Sequence, residues 1–298
     1  MSSTPKLTFV FYVSLLIFFL SMTFFAVTSP VALQKILSLK VIDKSLPIYS
    51  DYFYQSELEE ISELIKNIPY KNDAATSSWF VHPREKYKDT IMEGNGNCSN
   101  LAFGALYKLI ADKKRAVIIH LLQTDLGFLN GAGHTAIQID IGEKEIIVDV
   151  LEGGLPLQNE KLINALKFEL NDSDVFTHRV LSDYKDDKNF YFSKEYLSQI
   201  EFGVIPQKEI EEYFYFLELI YVPLGSTYFE KLFFDTVALF FGKYPNTYVS
   251  EDLEQRILDN AVFSYIFAFG SLISFHLSYL FGSLILLRNL MRRTFRNT

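Results

Sequence analysis

The chain has 298 residues and a formal net charge of −8; 49% of its residues are hydrophobic and 16% are aromatic. This length allows one or two domains, and the acidic balance argues against nucleic-acid binding, because phosphate contacts need clustered lysine and arginine. A single cysteine, Cys98, excludes an internal disulfide.

The first predicted element is an apolar span near the N-terminus. Residues 7–27 contain no charged residue and reach the length of about 20 residues that a helix needs to cross a bilayer. We interpret the span as a transmembrane helix. A cleaved signal peptide is the alternative, although its apolar core is normally only about 7–15 residues long. Residues 28–54 are expected to form a linker.

A soluble α+β domain is predicted over residues 55–205. An amphipathic helix is expected from Gln55 to Asn67, followed by a loop-rich segment over 70–93. A second helix is predicted from Cys98 to Ile110, directly after the sequence GNGN. A thiol at a helix N-terminus has a lowered pKa, because the unpaired N–H groups there favour negative charge.

Short apolar and alternating segments then predict strands. Ala116–Leu122 is typical of a buried strand, and Thr124–Gly133 of a loop. His134–Ile141 and Glu145–Leu151 alternate as two strands of a hairpin with its turn at Gly142. Residues 152–205 are mixed and polar and indicate no particular element.

Alternation along the hairpin places His134 and Asp149 on one polar face. The apolar residues have odd numbers on the first strand and even numbers on the second, because side chains alternate with period two. When these two faces pair, the numbers of any two opposed residues therefore add up to an odd sum. A sum of 283 sets His134 opposite Asp149, and a sum of 285 sets Asp149 one diagonal step away. Either register keeps the two side chains within reach.

This set has the chemistry of a thiol catalytic site. The imidazole of His134 can take the proton of the Cys98 thiol, and Asp149 can orient the ring and stabilise the imidazolium. Gly96 and Asn97, just before the helix, are expected to support an oxyanion through backbone N–H groups. Taken alone, a lone cysteine is more often a small apolar filler, so the hypothesis depends on the combination.

These residues resemble the transglutaminase-like cysteine enzymes through GNCSNLAFGALYKL, GHTAIQIDI and EIIVDV. The resemblance implies an α+β papain-like or transglutaminase-like core, in which a cysteine-bearing helix packs on an antiparallel sheet that bears histidine and aspartate. It implies that Cys98 is the nucleophile, His134 the general base and acid, and Asp149 the orienting group. Trp79 would take the transition-state-stabilising role of an upstream residue in some members.

Two departures concern the expected substrate pocket. The family often has an aromatic residue shortly after the histidine, where this chain has Ala136 and Ile137, and proline after the aspartate, where it has Val150. The NlpC/P60 peptidases also place a Cys-Ser step on a helix. Their second polar partner is usually histidine or an amide, which Asp149 matches less well.

Residues 206–260 are predicted to be an aromatic-rich helical extension. One interpretation is an amphipathic helix pair that covers the domain, and the other is a helix on the membrane surface. Residues 261–287 form a second uncharged span, followed by a basic tail over 288–298. A face of small residues in this span predicts packing on a helix from the first span or from a partner. That face consists of Gly270, Ser274, Ser278 and Gly282.

The distribution of charge predicts the topology. The region between the spans contains all 36 acidic and 23 of the 28 basic residues, a charge of 23 − 36 = −13. Arginines concentrate after the second span, so we expect both termini in the cytoplasm and the domain in the periplasm or outside the cell. Lysines after the first span argue weakly against this orientation. A glycan on the Asn97-Cys98-Ser99 sequon would abut the nucleophile, which favours a bacterial inner membrane.

The sequence therefore predicts a membrane-anchored thiol enzyme that hydrolyses amides or transfers acyl groups on peptides or proteins of the cell envelope. The alternative is a non-enzymatic envelope assembly or scaffold protein that keeps the same fold. No cysteine–histidine cluster has zinc spacing and no glycine motif suits a phosphate, so no metal or cofactor is expected. Membrane lipid and a peptide or protein substrate are the expected partners.

Overall fold

The computed structural model describes residues 4–28, 31–43, 45–70, 78–123, 133–142, 144–182, 191–225 and 227–294. The chain divides into two compact units, one made of its two ends, up to Leu37 and from Leu258, and one made of Ser38–Ile257. The fold class is mixed α+β, as predicted, and the chain contains two helices long and apolar enough to span a membrane.

The terminal unit is built on helices α1 (Thr4–Thr28) and α10 (Val262–Thr294). Most of their apolar surface is exposed, which suits lipid as the surrounding medium. The two helices pack on each other, and Phe24 stacks on Phe267 with ring centroids 4.1 Å apart. The predicted face of small residues lies in this contact. Ser274 and Ser278 are buried, and a Cβ added to Gly282 would lie 3.2 Å from the Phe11 ring.

The Ser38–Ile257 unit is organised around a six-stranded sheet of order β1-β9-β8-β2-β3-β4. Only the β1–β9 pair is parallel among these neighbours. A small antiparallel sheet, of order β6-β5-β7, follows the main hairpin. The strands are β1 (Leu39–Val41), β2 (Ala116–Gln123), β3 (Gly133–Asp140), β4 (Glu145–Val148), β5 (Gly154–Gln158), β6 (Lys161–Leu162), β7 (Phe176–Val180), β8 (Ile200–Ile205) and β9 (Thr247–Val249).

Helices pack on one face of the main sheet, where Ile118 and Ile137 meet Leu101 and Leu106 of α5. On the opposite face, Val117 and Ile119 lie in a second core with Phe192. Strand β2 is therefore buried on both sides, which explains its continuous apolar sequence. The remaining helices are α2 (Ala32–Ser38), α3 (Leu58–Lys66), α4 (Pro83–Tyr87), α5 (Cys98–Ala111), α6 (Lys194–Leu197), α7 (Gln207–Ile220), α8 (Tyr228–Phe240) and α9 (Glu251–Asn260).

Several predicted elements are found close to their expected bounds. Helix α3 lies within the Gln55–Asn67 prediction and begins with a capping box between Glu57 and Glu60. Helix α5 begins at Cys98 as predicted. The aromatic segment after residue 205 forms the predicted helix pair, α7 and α8, whose inward-facing rings, Phe214 and Phe234, lie in the core.

Other expectations need correction. The predicted linker over 28–54 contains α2 and β1, and β1 joins the edge of the main sheet. The segment 78–93, expected to be loop-rich, contains α4 and a π-helical turn over Lys88–Met92, because Pro83 suits the first turn of a helix. Strand β4 ends at Val148, before the predicted Leu151. Most of the predicted Thr124–Gly133 loop, residues 124–132, lies outside the described residues, and Gly133 begins β3.

Candidate active site

The Cys98 thiol lies at the first residue of helix α5. Asn97 caps this helix, and its side-chain oxygen accepts a hydrogen bond of 3.1 Å from the Asn100 N–H. The N–H groups of Cys98 and Ser99 belong to the first turn and have no carbonyl partner within the helix. Asn97 is thus the N-cap of helix α5. The first turn of that helix presents the N–H groups of Cys98 and Ser99 beside the Cys98 sulfur.

Two glycines shape the backbone that leads into this helix. Gly94 and Gly96 have φ of 71° and 121°, which side-chain-bearing residues rarely adopt. A Cβ on Gly94 would lie 2.0 Å from the Pro69 carbonyl oxygen, and one on Gly96 would lie 2.8 Å from Cβ of Asn100. The two glycines therefore let the backbone pass close to Pro69 and Asn100 directly before helix α5 begins at Cys98.

His134 and Asp149 form a buried hydrogen-bonded pair. Ile137 pairs with Val148 and Ile139 with Ile146, which is the register of sum 285, so Asp149 lies one diagonal step from His134. Nε2 of His134 is 2.9 Å from Oδ2 of Asp149, and both side chains are fully buried. The hydrophobic pattern thus predicted the pair correctly, and the structure selects between the two registers.

The Asp149 carboxylate is held by the backbone where β4 leaves β3. Asp149 and Gly154 exchange two backbone hydrogen bonds, of 2.9 and 3.1 Å. The Glu152 N–H donates to Oδ1 of Asp149 at 3.0 Å, and the Tyr70 hydroxyl donates to the Val150 carbonyl at 2.7 Å. One carboxylate oxygen is therefore fixed by the backbone, and the other is left for His134.

Cys98 reaches the edge of β3 that β4 no longer covers. Strand β4 pairs with β3 only as far as Ile137, and beyond it the backbone N–H of Thr135 acts to lower the pKa of the Cys98 thiol. His134 and this thiol are close enough to shift each other's pKa. Among the residues that the structure describes, Nδ1 of His134 has no hydrogen-bond partner. The ring therefore lies between the thiol and the carboxylate, as in a catalytic triad.

The three groups shift one another's pKa toward the charged forms. Burial raises the pKa of the Cys98 thiol, but His134 and the Thr135 N–H lower it by more than burial raises it. The pKa therefore falls below its ordinary value. Burial lowers the pKa of His134, but Asp149 and Cys98 raise it to about 10. Burial raises the pKa of Asp149, but His134 and the Glu152 N–H lower it overall. The imidazolium of His134 therefore favours the thiolate on one side and the carboxylate on the other.

Aromatic side chains that the sequence did not predict pack against the His134 ring. The Tyr191 ring stacks on the His134 ring with centroids 3.9 Å apart and an interplanar angle of 7°. Phe192 meets His134 edge-on, and Tyr196 meets Tyr191. These rings belong to the 152–205 region, whose sequence has no motif. The only local signal was the aromatic run Phe190-Tyr191-Phe192, which does not by itself indicate a histidine 57 residues before Tyr191.

We expect Tyr191→Ala to slow alkylation of Cys98 at neutral pH by about two- to tenfold, the range that corresponds to about 0.5–1.5 kcal/mol for an aromatic stack. Loss of the ring admits water to the His134–Asp149 pair and weakens its effect on the thiol. Tyr191→Phe keeps the ring and should stay within about twofold of wild type on the same reasoning. The measurement is the rate of iodoacetamide alkylation, and equal slowing by both variants would contradict a role for stacking.

Other candidate residues lie in different surroundings. Trp79, predicted as transition-state support, is 38% exposed and contacts Tyr228 edge-to-face at 5.4 Å. His120 is hydrogen-bonded to the Thr135 hydroxyl at 3.0 Å, as expected for a core histidine. His178 lies in β7, where it makes a small contribution to lowering the pKa of Asp149.

No metal or cofactor site is evident near the triad. In the described part of the chain, no three histidine, cysteine or acidic residues are arranged to hold a metal ion. Comparisons with protein-family models, with curated proteins and with solved structures find no match. The functional argument therefore depends on the geometry and chemistry of the site.

Proposed function

We propose that this chain is a membrane-anchored thiol enzyme that hydrolyses amides or transfers their acyl groups through a thioester on Cys98. The buried His134–Asp149 hydrogen bond beside a thiol at a helix N-terminus carries the proposal. A cysteine that only filled space would need neither a buried acid nor an imidazole with a raised pKa. The resemblance to transglutaminase-like enzymes supports the same reaction class and a papain-like or transglutaminase-like core.

The proposed reaction begins with the thiolate of Cys98 attacking the carbonyl carbon of an amide. The carbonyl oxygen becomes an oxyanion, which the N–H groups of Cys98 and Ser99 stabilise at the start of α5. The C–N bond then breaks, and the imidazolium of His134 gives its proton to the leaving amine. The acyl group remains on sulfur as a thioester, and His134 is neutral.

The second half of the reaction restores the enzyme. Water or an acceptor amine attacks the thioester while His134 takes the proton of that nucleophile. The C–S bond breaks to release a carboxylic acid or a new amide, and the thiolate and imidazolium form again. Asp149 stays ionised throughout and stabilises the imidazolium.

The proposed location is a bacterial inner membrane, crossed by α1 and α10. Arg288 and the arginines after it follow the second span, while the region between the spans carries the acidic charge. Basic flanks favour the cytoplasm, so the catalytic unit would face the periplasm or the cell exterior. Its substrates would be peptides or proteins of the envelope.

An activated ester tests the proposal without knowledge of the natural substrate. We expect the full-length chain to react with p-nitrophenyl acetate, to carry the acetyl group on Cys98 by mass spectrometry, and to turn over. Adding a primary amine distinguishes transfer, which forms an acetamide, from hydrolysis alone. The denatured chain keeps the thiol and serves as the control. Acylation no faster in the folded chain than in the denatured one would refute the proposal.

A further inference from the structure

The connection between α7 and α8 exposes an unusual amount of apolar surface. From Leu219 to Phe229 the sequence has no charged residue. Five large apolar side chains in this segment and the next turn of α8 are each more than half exposed. We call them the α7–α8 tip: Leu219 (64%), Val222 (62%), Leu224 (60%), Phe229 (78%) and Phe233 (55%).

The tip is exposed although the helices that carry it are firmly packed. Leu217 and Phe234 point the other way, into the core of the compact unit. Tyr221, at the end of α7, contacts the Phe234 ring at 5.5 Å. The outward residues are therefore held in place by the inward ones. Contiguous apolar surface of this kind marks an interaction site.

Aromatic residues with polar edges lie beside the tip. Trp79, the only tryptophan of the chain, packs on Tyr228, which adjoins Phe229 in the sequence and contacts its ring. Tryptophan and tyrosine are enriched where a membrane meets water, because one part of each ring is apolar and the other is polar. The composition of the tip and its neighbours thus matches the interfacial region of a bilayer.

The same chain keeps this unit close to a membrane. Only residues 258–261 separate the compact unit, which ends at Ile257, from helix α10. Val262 lies five residues after Ile257, and at about 3.3–3.6 Å per residue this step spans at most about 18 Å even if fully extended. Tethering of this kind gives a surface contact a high effective concentration of its target. Lipid is therefore the partner that this unit meets continuously.

We propose that the α7–α8 tip inserts its apolar side chains into the surface of the bilayer that α1 and α10 span. Residues 219–229 contain no lysine or arginine, and Lys231 pairs with Asp235. This indicates binding by apolar burial and not by attraction to anionic headgroups. Zwitterionic lipid should therefore suffice. The contact holds the compact unit on the membrane surface, and it does not depend on the proposed reaction.

A spin label at a single cysteine tests this contact in the full-length chain. Cys98→Ser removes the only cysteine, and Leu224→Cys then places a label in the tip. Val175→Cys is the matched control, because Val175 is an exposed apolar residue of nearly equal exposure, 61% against 60%. Both chains are reconstituted in phosphatidylcholine vesicles. Their labels are then exposed to oxygen, which enters lipid, and to a nickel chelate, which stays in water.

We expect the label at residue 224 to collide several-fold less with the nickel chelate and more with oxygen than the label at residue 175. Adding Phe229→Asp should restore access of the nickel chelate to residue 224. Equal behaviour of the two labels would overturn the proposal. Protection of residue 224 from both reagents would also overturn it, because that result means that protein, such as a second copy of the chain, covers the tip.

Discussion

Replacing His134 with alanine should slow alkylation of Cys98 at neutral pH by about tenfold for each unit by which the thiol pKa rises. In the wild type, His134 and the Thr135 N–H hold the pKa of the thiol below its ordinary value despite burial. Without the imidazole, burial remains and raises the pKa. The thiol would then be protonated at neutral pH and react slowly.

The shifted pKa values determine how the alkylation rate should change with pH. In the wild type the rate should stay high through neutral pH and fall only as the pH drops through the lowered pKa of Cys98. His134 keeps its proton up to its pKa of about 10, so the ion pair persists across the neutral range. In His134→Ala the whole curve should move to alkaline pH, beyond the ordinary thiol pKa of about 8.5.

The measurement is the rate of iodoacetamide alkylation of the purified full-length chain between pH 5 and pH 10. His82→Ala is a suitable control, because the His82 ring packs on Tyr221 and has no role in the proposed site. The control should follow the wild-type curve. Identical profiles for wild type and His134→Ala would show that the thiol is not activated by this histidine.

Replacing Asp149 with asparagine should both slow alkylation and destabilise the protein. The Asp149 carboxylate raises the pKa of His134, so its loss should move that pKa back toward about 6.5 and leave the thiolate without a cationic partner at neutral pH. Loss of a charged hydrogen bond in a buried site costs about 1.5–3 kcal/mol of stability. Asparagine keeps the shape of the side chain, so the lost charge is the main change.

The stability difference between wild type and Asp149→Asn should depend on pH. The raised pKa of His134 stabilises the fold fully below about pH 6.5, and this contribution fades as the pH rises toward about 10. The lowered pKa of Asp149 stabilises the fold above about pH 3.9 and is lost at lower pH. The difference should therefore be largest between about pH 4 and 6.5.

Thermal unfolding in detergent, followed by circular dichroism, measures this difference in stability. It is recorded near pH 4, near pH 6.5 and at alkaline pH. Asp140→Asn is the matched control, because Asp140 lies on the same strand as His134 and pairs with Arg115 at 2.9 Å. It should leave the alkylation profile unchanged. A constant stability difference at all pH values for Asp149→Asn would argue against a charged His134–Asp149 pair.

Local sequence was sufficient to predict the helix that begins at Cys98 and the face that His134 and Asp149 share. The Cys98 helix follows from the glycines and the Asn97 cap before it, because capping and backbone freedom act over a few residues. The side-chain faces of β3 and β4 follow from strict alternation. The two apolar spans follow from length and composition alone. Each of these signals depends only on neighbours within one element.

The remaining features depend on contacts between distant residues. The hairpin adopts the register that pairs Ile137 with Val148, and beyond it Asp149 pairs with Gly154. The edge position of β1 beside β9 joins residues about 200 positions apart. No periodicity or sequence motif predicts that Tyr191 stacks on His134.

Periodicity therefore determined which residues share a face of this protein, while tertiary packing decided which faces meet. The sequence alone could place Cys98 and His134 on the right elements and Asp149 on the same face as His134, because helix and strand geometry is local. Only the packed structure could bring the thiol to the open edge of β3 and Tyr191 over the histidine. Those contacts depend on how the whole core fills space, which no short segment specifies.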